Sequence, residues 1–302
     1  MEAATTEVPR ADAAAVITNP DERPAARIAR FAARLPMQIL MAAIALLWLV
    51  PTFGLLLTSL MPAGSISQQG WWKVVQTPSM ATLDNYRAIF DNNTITDALW
   101  TTVAIAVGNT LLLVIVAALA GYAFAWLSFP GRDVLFVVVI GLLVVPIQVA
   151  LIPIFSLYND VGLYDTILGL ILFHTAFGLP FAIFLLRNFF IGIPRDLLEA
   201  ARIDGASELK IFLRVILPLG LPAIASLAIF QFLWVWNDLL VALTFGRDTQ
   251  VITVAIFSQM RQFSANIELI APAAFVSLAI PLVVFFAFQR YFVEGLLAGS
   301  VK

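Results

Sequence analysis

Long apolar stretches separated by polar segments run through most of the chain. Windows of about 19 residues mark six of them, at roughly 35–60, 98–127, 134–157, 165–187, 213–237 and 271–290. Each is long enough to cross a bilayer as a helix, which takes about 20 residues. The pattern predicts an all-α integral membrane protein with six transmembrane helices in residues 35–302.

The first 34 residues follow a different pattern. They are rich in alanine, carry acids and then arginines, and show no apolar period that could drive packing. This composition predicts a mobile tail over residues 1–34, expected in the cytoplasm for the reason given below. The first apolar stretch is too long for a signal-peptide core and has no convincing cleavage site, so we expect it to remain as an anchor.

Composition agrees with a membrane protein and narrows the range of functions. Hydrophobic residues make up 61% of the chain and charged residues 12%, against roughly half and a quarter in soluble domains. The small net charge of -2 gives no reason to expect a nucleic-acid partner. The absence of cysteine from the sequence excludes disulfides and cysteine-bound metals.

The distribution of basic residues predicts the orientation of the chain. If the N-terminus is cytoplasmic, the outer loops hold only Lys73, Arg87, Arg247 and Arg261, and the other arginines and lysines fall on the cytoplasmic side. Arginine and lysine favour cytoplasmic loops. Both termini are therefore expected in the cytoplasm, with the charged loop between the fourth and fifth stretches.

That charged loop, residues 194–208, has the pattern of a short helix. Asp196 is in position to act as N-cap, with Glu199 as the reciprocal acid three residues later, and both suit the positive end of a helix dipole. Gly205 allows a left-handed helix stop, and Ser207 can cap the next helix. So short a helix needs a docking surface. These residues alone leave open whether it covers its own bundle or docks a partner protein.

The sequence of this loop resembles that of one protein family. Residues 199–206 read EAARIDGA and are followed by Phe212, Pro218 and Pro222, which is similar to the EAA loop of ABC importer permeases. In that family the loop is a coupling helix that sits in a cleft of a cytoplasmic ATPase. The resemblance implies a coupling role for Asp196, Leu198, Glu199, Ala200, Ala201, Asp204, Gly205 and Ala206.

The chain from about residue 35 to its end resembles the maltose-type carbohydrate permeases. The similar segments read GYAFAW, FPGR, VVPIQVALIPIF, GLPFAIFLLRNFF, FLWVWNDLLVALTF and QRYFVEGLLAGSVK. The resemblance implies the type I (MetI-like) ABC importer fold, in a bacterial inner membrane. It also implies import of a sugar, with a disaccharide or α-glucoside such as maltose or trehalose expected first and a monosaccharide or polyol as the alternative.

The same resemblance implies a set of partners: a homologous second permease, two cytoplasmic ATPase subunits, an extracytoplasmic solute-binding protein, the sugar and membrane lipid. None of the lysines, Lys73, Lys210 and Lys302, lies in a phosphate-binding loop of the form G-x-x-x-x-G-K-[ST]. We therefore expect no enzymatic activity and no cofactor in this chain, with ATP and Mg bound by the partner ATPase chains.

Polar side chains within the apolar stretches are costly and mark either a transport path or hydrogen bonds between helices. Gln231, Trp234 and Asp238 share one helical face, which leaves a sugar path and helix packing equally open for them. For Asn109 and His174 we favour bonding between helices. The full set of candidates is Asn109, Gln148, His174, Gln231, Trp234, Asn237 and Asp238.

Prolines inside the predicted spans free backbone carbonyls and allow bends. Bends suit a bundle that opens alternately to the two sides, as the family resemblance implies, although proline is also ordinary in membrane helices. The prolines concerned are Pro146, Pro153, Pro180, Pro218 and Pro222.

Two other classes of function find less support. A gradient-driven secondary transporter would need a buried acid or acid pair to bind its coupling ion, and we expect none in the spans. A membrane enzyme would need a cluster of His, Asp or Glu at one membrane face, and the chain has one histidine and scattered acids.

Overall fold

The computed structural model describes residues 24–261 and 267–298, with the side chains of 35–260 and 267–290. The described residues form an all-helical fold, as predicted. Its α-helices are α1 (Pro24–Ser59), α2 (Ala63–Ile66), α3 (Trp72–Gln76), α4 (Asp84–Phe90), α5 (Asn93–Trp126), α6 (Arg132–Gly141), α7 (Ile147–Val161), α8 (Ile167–Ile191), α9 (Arg195–Ile203), α10 (Glu208–Ile211), α11 (Leu217–Trp236), α12 (Leu240–Phe245), α13 (Ile252–Arg261) and α14 (Ile267–Ala298).

The chain divides into two compact units, Met1–Phe53 and Gly54–Lys302. The first contains most of α1, which begins at Pro24 and so starts inside the segment predicted as a tail. Residues 1–23 of that segment lie outside the described residues. The second unit contains the other helices, and the packing below concerns this unit.

The described residues hold five helical segments long and apolar enough to cross a membrane, or six if the bent pair α6 and α7 is one span. The count agrees with the prediction of six. The five are Leu35–Ser59, Asn93–Trp126, Ile167–Ile191, Glu208–Trp236 and Ile267–Arg290.

The third predicted span is broken in the middle. α6 and α7 are bent by 100°, with a 3-10 turn at Leu142–Val144 between them. Val145, the residue before Pro146, is extended, with a ψ of 113°. Pro146 has no N–H to donate to the preceding turn, and α7 begins directly after it. The other prolines expected to allow bends lie within helices or at a helix start: Pro153 in α7, Pro180 in α8, Pro218 and Pro222 in α11.

Close packing of α5 against α8 forms the centre of the second unit. A Cβ added at Gly121 of α5 would lie 3.1 Å from the backbone N of Arg187, and one at Gly178 of α8 would lie 2.4 Å from Leu113 Cδ1. Small residues at such points let two helix backbones approach closely. The buried side chains around this contact include Leu113, Ala117, Tyr122, Leu186, Phe190 and Ile216.

The polar segment between the first two predicted spans, residues 61–97, is largely helical. It contains α2, α3, α4 and the start of α5. Buried Asn85 holds it to the end of α1, because its Nδ2 donates to the carbonyls of Ser59 at 3.0 Å and Met61 at 2.7 Å. The side chain of Asn92 then caps α5.

Asp165 joins two connecting segments at the end of α8 that lies away from α9. Its Oδ1 accepts from the backbone N–H groups of Asp248 at 3.0 Å and Thr249 at 2.8 Å. The segments 158–165 and 238–270, both predicted on the outer side, therefore meet at one end of the bundle. The second segment contains α12 and α13, and its residues 262–266 lie outside the described part.

The backbone at Asp165 has a positive φ of 57°, which among the described non-glycine residues it alone adopts. Aspartate tolerates this conformation better than most side chains. Burial raises the pKa of the Asp165 carboxyl, but the backbone N–H groups of Thr249, Asp248 and Arg247 lower it more, so that the pKa lies below its ordinary value.

Candidate functional site

The predicted N-cap of the charged-loop helix is wrong. α9 begins at Arg195. The residue before it, Pro194, has a φ of -57° and a ψ of 128° and makes no side-chain capping hydrogen bond. Asp196 is therefore already inside the first turn, where its carboxylate suits the helix dipole. Glu199 does not return to the N-terminus. Its Oε1 accepts from Arg195 Nε at 2.7 Å on the exposed surface.

The predicted end of this helix is confirmed. Gly205 has φ +77°, and its N–H donates to the carbonyl of Arg202 at 3.0 Å, while the N–H of Ala206 donates to the carbonyl of Ala201 at 3.0 Å. These two bonds make a Schellman stop, which needs a left-handed residue and favours glycine. Ser207 then caps α10 by accepting from the backbone N–H of Lys210 at 3.4 Å.

α9 has one face in the protein and one face in solvent. Leu198 is fully buried among Ile193, Ile211 and other apolar side chains. Leu197 is 45% exposed and Ile203 86% exposed, at the other side of the helix. Of the remaining residues predicted to couple, Ala201 and Ala206 are half-buried against the core, and Asp196, Glu199, Ala200, Asp204 and Gly205 are exposed.

A polar link between α9, α10 and α5 was missed in the sequence. Glu208 Oε1 accepts from Arg202 Nε at 2.9 Å and Glu208 Oε2 from Arg202 Nη2 at 3.3 Å, and the Tyr122 hydroxyl donates to Glu208 Oε2. Hydrogen bonding with Glu208 raises the pKa of the Arg202 guanidinium. The pair of Arg202 and Glu208 could have been predicted, because they have opposite charges and lie six residues apart on either side of the helix stop at Gly205. Nothing in the sequence pointed to Tyr122, which lies 86 residues before Glu208.

Two of the predicted polar candidates meet at the centre of the bundle. Gln231 Nε2 donates to Asn109 Oδ1 at 2.6 Å, and Asn109 Nδ2 donates to Thr175 Oγ1 at 2.8 Å and to the Ile171 carbonyl at 3.2 Å. All three side chains are buried. These bonds join α5, α8 and α11, which is the helix-to-helix bonding favoured for Asn109. Thr175 was not among the predicted residues.

Three further candidates meet around His174. His174 is 2% exposed, and its Nε2 lies 3.6 Å from Asp238 Oδ2. The ring of Trp234 contacts the imidazole edge to face, with centroids 5.3 Å apart. The carboxylate of Asp238 also accepts from the backbone N–H groups of Val241 at 3.2 Å and Ala242 at 2.9 Å, which caps α12.

The expectation that the spans hold no buried acid concerns residues 213–237, and Asp238 lies just beyond them, two residues after α11 ends at Trp236. Its side chain is 14% exposed at the end of α11. The α12 backbone and the neighbouring imidazole compensate this burial. Asp238 therefore does not overturn that expectation.

The two remaining candidates, Gln148 and Asn237, take no part in these contacts. Gln148 is exposed in the first turn of α7, directly after the bend. Asn237 is exposed and its Nδ2 donates to the Leu233 carbonyl at 2.7 Å. Trp234 is 43% exposed although it contacts His174. The seven predicted residues thus form two buried contacts and an exposed remainder, and not a single cluster.

Residues 114–297 match the family described as binding-protein-dependent transport system inner membrane component. The chain belongs to this family. The matched residues contain α9 and the contact of His174 with Asp238. The family predicted from the EAARIDGA loop is therefore confirmed. The chain is a multi-pass inner-membrane permease subunit of an ABC importer and not itself an enzyme.

Several curated proteins are similar to this chain over three quarters of its length or more. The osmoprotective compounds uptake permease protein GgtD of Synechocystis is 46% identical over 91% of this chain and 95% of its own length. The trehalose transport system permease protein SugB of Mycobacterium tuberculosis is 38% identical over 84% of this chain and 92% of its own. The alpha-glucoside permease protein AglG of Rhizobium meliloti is 50% identical over 75% of this chain and 62% of its own.

A solved structure has the same fold. A chain of a bacterial ABC transporter involved in import of the acidic polysaccharide alginate superposes with a TM-score of 0.72 at 22% identity, over 90% of this permease and 99% of that chain. The predicted fold, the transmembrane domain of a type I (MetI-like) ABC importer, is confirmed.

Proposed function

We propose that this permease subunit imports a carbohydrate of the α-glucoside or disaccharide class, such as maltose or trehalose. The names of the relatives support this class, because AglG is an alpha-glucoside permease and SugB a trehalose permease. Both are similar to this chain over at least three quarters of its length. A monosaccharide or a polyol is the alternative substrate.

The permease acts with four kinds of partner in this proposal. They are a homologous second permease, two cytoplasmic ATPase subunits that bind ATP and Mg, an extracytoplasmic solute-binding protein, and membrane lipid. The family description refers to a binding protein, and an alginate transporter of the same fold, with a TM-score of 0.60, is known in complex with a periplasmic protein.

The α9 end of the bundle is the cytoplasmic end, and both termini lie on that side. The distribution of arginine and lysine supports this orientation, because the segments joined at Asp165 belong to the side with few basic residues. The α9 loop contains Arg195, Arg202 and Lys210 at the opposite end.

α9 is the coupling helix on which the ATPase subunits act. The observation that supports this role is its division into two faces. Leu198 fixes the helix to the bundle, while Leu197, Glu199 and Ile203 remain exposed. Large apolar side chains that are well exposed beyond the membrane are typical of a docking surface. The rest of the exposed surface is formed by Asp196, Ala200, Asp204 and Gly205. The half-buried side chains beneath it, which pack against the core, are those of Ala201 and Ala206.

The buried candidates hold the helices together, and the exposed candidates contact solute. Asn109, Gln231, His174 and Asp238 already have partners within the bundle. Trp234, Asn237 and Gln148 keep exposed surface. Indole and amide groups are suitable partners for the ring faces and hydroxyls of a sugar.

The test is the ATPase activity of the complex that purifies with a tagged permease, reconstituted in lipid with its binding protein. A panel of maltose, trehalose, glucose and sorbitol is added in turn. We expect stimulation by a disaccharide. Stimulation only by glucose or sorbitol would move the substrate to the alternative class, and a permease that purifies without an ATPase would overturn the proposal.

A further inference from the structure

α9 has one side-chain polar connection to the transmembrane helices within the described residues. Its Arg195 pairs with Glu199 inside the same helix. Its Arg202 pairs instead with Glu208, and Glu208 accepts from the hydroxyl of Tyr122 on α5. The three side chains, here called the Arg202–Glu208–Tyr122 link, belong to three different helices.

The geometry of the link is fixed more tightly than an apolar contact. Both carboxylate oxygens of Glu208 accept from the Arg202 guanidinium, at 2.9 and 3.3 Å. Hydrogen bonds to ionised groups are stronger than neutral ones, and a two-point guanidinium contact also fixes orientation. The buried Leu198 holds α9 in place, but an apolar contact is not directional.

The helix that receives the link is built differently from the other spans. α5 runs without a break from Asn93 to Trp126 and its sequence contains no proline. Every other described span contains proline: Pro36 and Pro51, Pro146 and Pro153, Pro180, Pro218 and Pro222, Pro272 and Pro281. An uninterrupted hydrogen-bond ladder bends less than one that proline breaks.

α5 also contacts the buried polar centre of the bundle. Asn109 lies thirteen residues before Tyr122 on this helix, which corresponds to about 20 Å along its axis. Asn109 accepts from Gln231 of α11 and donates to Thr175 of α8. A displacement of α5 at Tyr122 would therefore also displace Asn109, and with it the hydrogen bonds that join α5 to α8 and α11.

We propose that Glu208 is a positioning residue that transmits the movement of α9 to α5 through Tyr122. In this proposal α5 moves as a rigid helix and carries the displacement from Tyr122 to the hydrogen bond between Asn109 and Gln231. This inference rests on the proposed function, in which ATPase subunits move α9. It assigns the transmission to two residues outside the EAARIDGA loop, Glu208 and Tyr122, together with Arg202 inside that loop.

The variant that tests the link is Tyr122→Phe, because it removes the hydroxyl and leaves the pair of Arg202 and Glu208 in place. Its matched control is Tyr158→Phe. Tyr158 is also buried, and its hydroxyl donates to the Gly169 carbonyl at 3.1 Å at the other end of the bundle. Both substitutions remove one hydroxyl hydrogen bond from a buried tyrosine.

The measurement is the number of labelled maltose or trehalose molecules imported per ATP hydrolysed, by the complete importer in vesicles. We expect Tyr122→Phe to keep its ATPase partners and lower this ratio on the order of 2- to 30-fold. Tyr158→Phe keeps the wild-type ratio. Glu208→Gln lowers the ratio in the same direction, and serves as the test if Tyr122→Phe does not assemble.

A charge exchange separates transmission from simple stability. Arg202→Glu combined with Glu208→Arg restores the ion pair, and the Tyr122 hydroxyl can accept from the new guanidinium. We expect this double variant to recover most of the ratio that Glu208→Gln loses. Equal ratios for wild type and Tyr122→Phe would overturn this inference and leave the proposed function standing. A wild-type complex that imports neither sugar with ATP would instead contradict the proposed function.

Discussion

Gln231 Nε2 lies 2.6 Å from Asn109 Oδ1, a contact that joins two transmembrane helices across 122 residues of sequence. Asn109→Ala removes the acceptor and leaves the buried amide of Gln231 without this partner. We expect a loss of about 1–2 kcal/mol in the free energy of unfolding. Denaturation of the purified permease in detergent, followed by circular dichroism, measures it.

The control for this contact is a double-mutant cycle. Asn109→Ala with Gln231→Leu should cost less than the sum of the single substitutions, by about 0.6–1.7 kcal/mol. Asn159→Ala should change little, because Asn159 is exposed and its Nδ2 donates to the Phe155 carbonyl of its own helix. Strictly additive losses would mean that the two amides do not stabilise each other.

Two neighbouring leucines of α9 should separate folding from partner binding. Leu198 is fully buried and Leu197 is 45% exposed. Leu198→Ala should reduce the free energy of unfolding by about 2–5 kcal/mol, as for other large-to-small changes in a core. Leu197→Ala should leave stability nearly unchanged and weaken attachment of the ATPase subunits.

Co-purification of the ATPase and thermal unfolding of the permease are measured side by side for these two variants. Equal retention of the ATPase by wild type and Leu197→Ala, together with unchanged transport, would exclude Leu197 from the docking surface. Glu199 and Ile203 would then remain to be tested in the same way.

Gly205 and Gly141 form a matched pair of glycines that differ in backbone conformation. A Cβ added at either position meets no atom within 4 Å. Gly205 has φ +77°, whereas Gly141 has a helical φ of -57°. Gly205→Ala should cost about 1–2 kcal/mol, and Gly141→Ala should be neutral or stabilise by up to about 1 kcal/mol.

The functional part of this prediction concerns the end of α9. Gly205→Val strains the Schellman stop further and should uncouple ATP hydrolysis from import while the permease still inserts in the membrane. Transport and ATPase assays on the same preparation measure both quantities. Normal import by Gly205→Val would show that the left-handed stop is not needed for coupling.

Local rules predicted the parts of the structure that depend on neighbouring residues. The left-handed stop at Gly205 and the cap at Ser207 follow from residue type and spacing. The N-terminus of α9 was misplaced because Pro194 fixes the start one residue before the acid that would have capped it. The preference of aspartate for the N-cap position was overridden by the nearby proline, which fixes where the helix begins.

The missing parts depend on contacts between distant segments. Pro146 lies at the start of α7, directly after the bend, whereas Pro153 and Pro180 lie inside helices, so proline alone does not locate the bend. The packing around each proline decides whether its freed carbonyl is tolerated. The Arg202–Glu208–Tyr122 link and the bonds of Asp165 join residues more than eighty positions apart, which no sequence period records.

The ionised carboxylate of Asp165 should make stability depend on pH. Because the pKa of Asp165 is lowered in the fold, its contribution is fully present above the unfolded pKa of about 3.9. It is lost as pH falls through the folded pKa. Asp165→Asn keeps a side chain that tolerates positive φ but has no charge. We expect it to cost about 1–2 kcal/mol at pH 7, toward the low end because solvent reaches the loop.

The decisive observation is how this difference changes with pH. Unfolding of wild type and Asp165→Asn is compared in detergent between pH 7 and pH 3, and the gap should narrow below about pH 4. Asp160→Asn, in an exposed position of the same connection, should show no such gap. A gap of constant size across this range would mean that the shape of the side chain, and not its charge, holds segments 158–165 and 238–270 together.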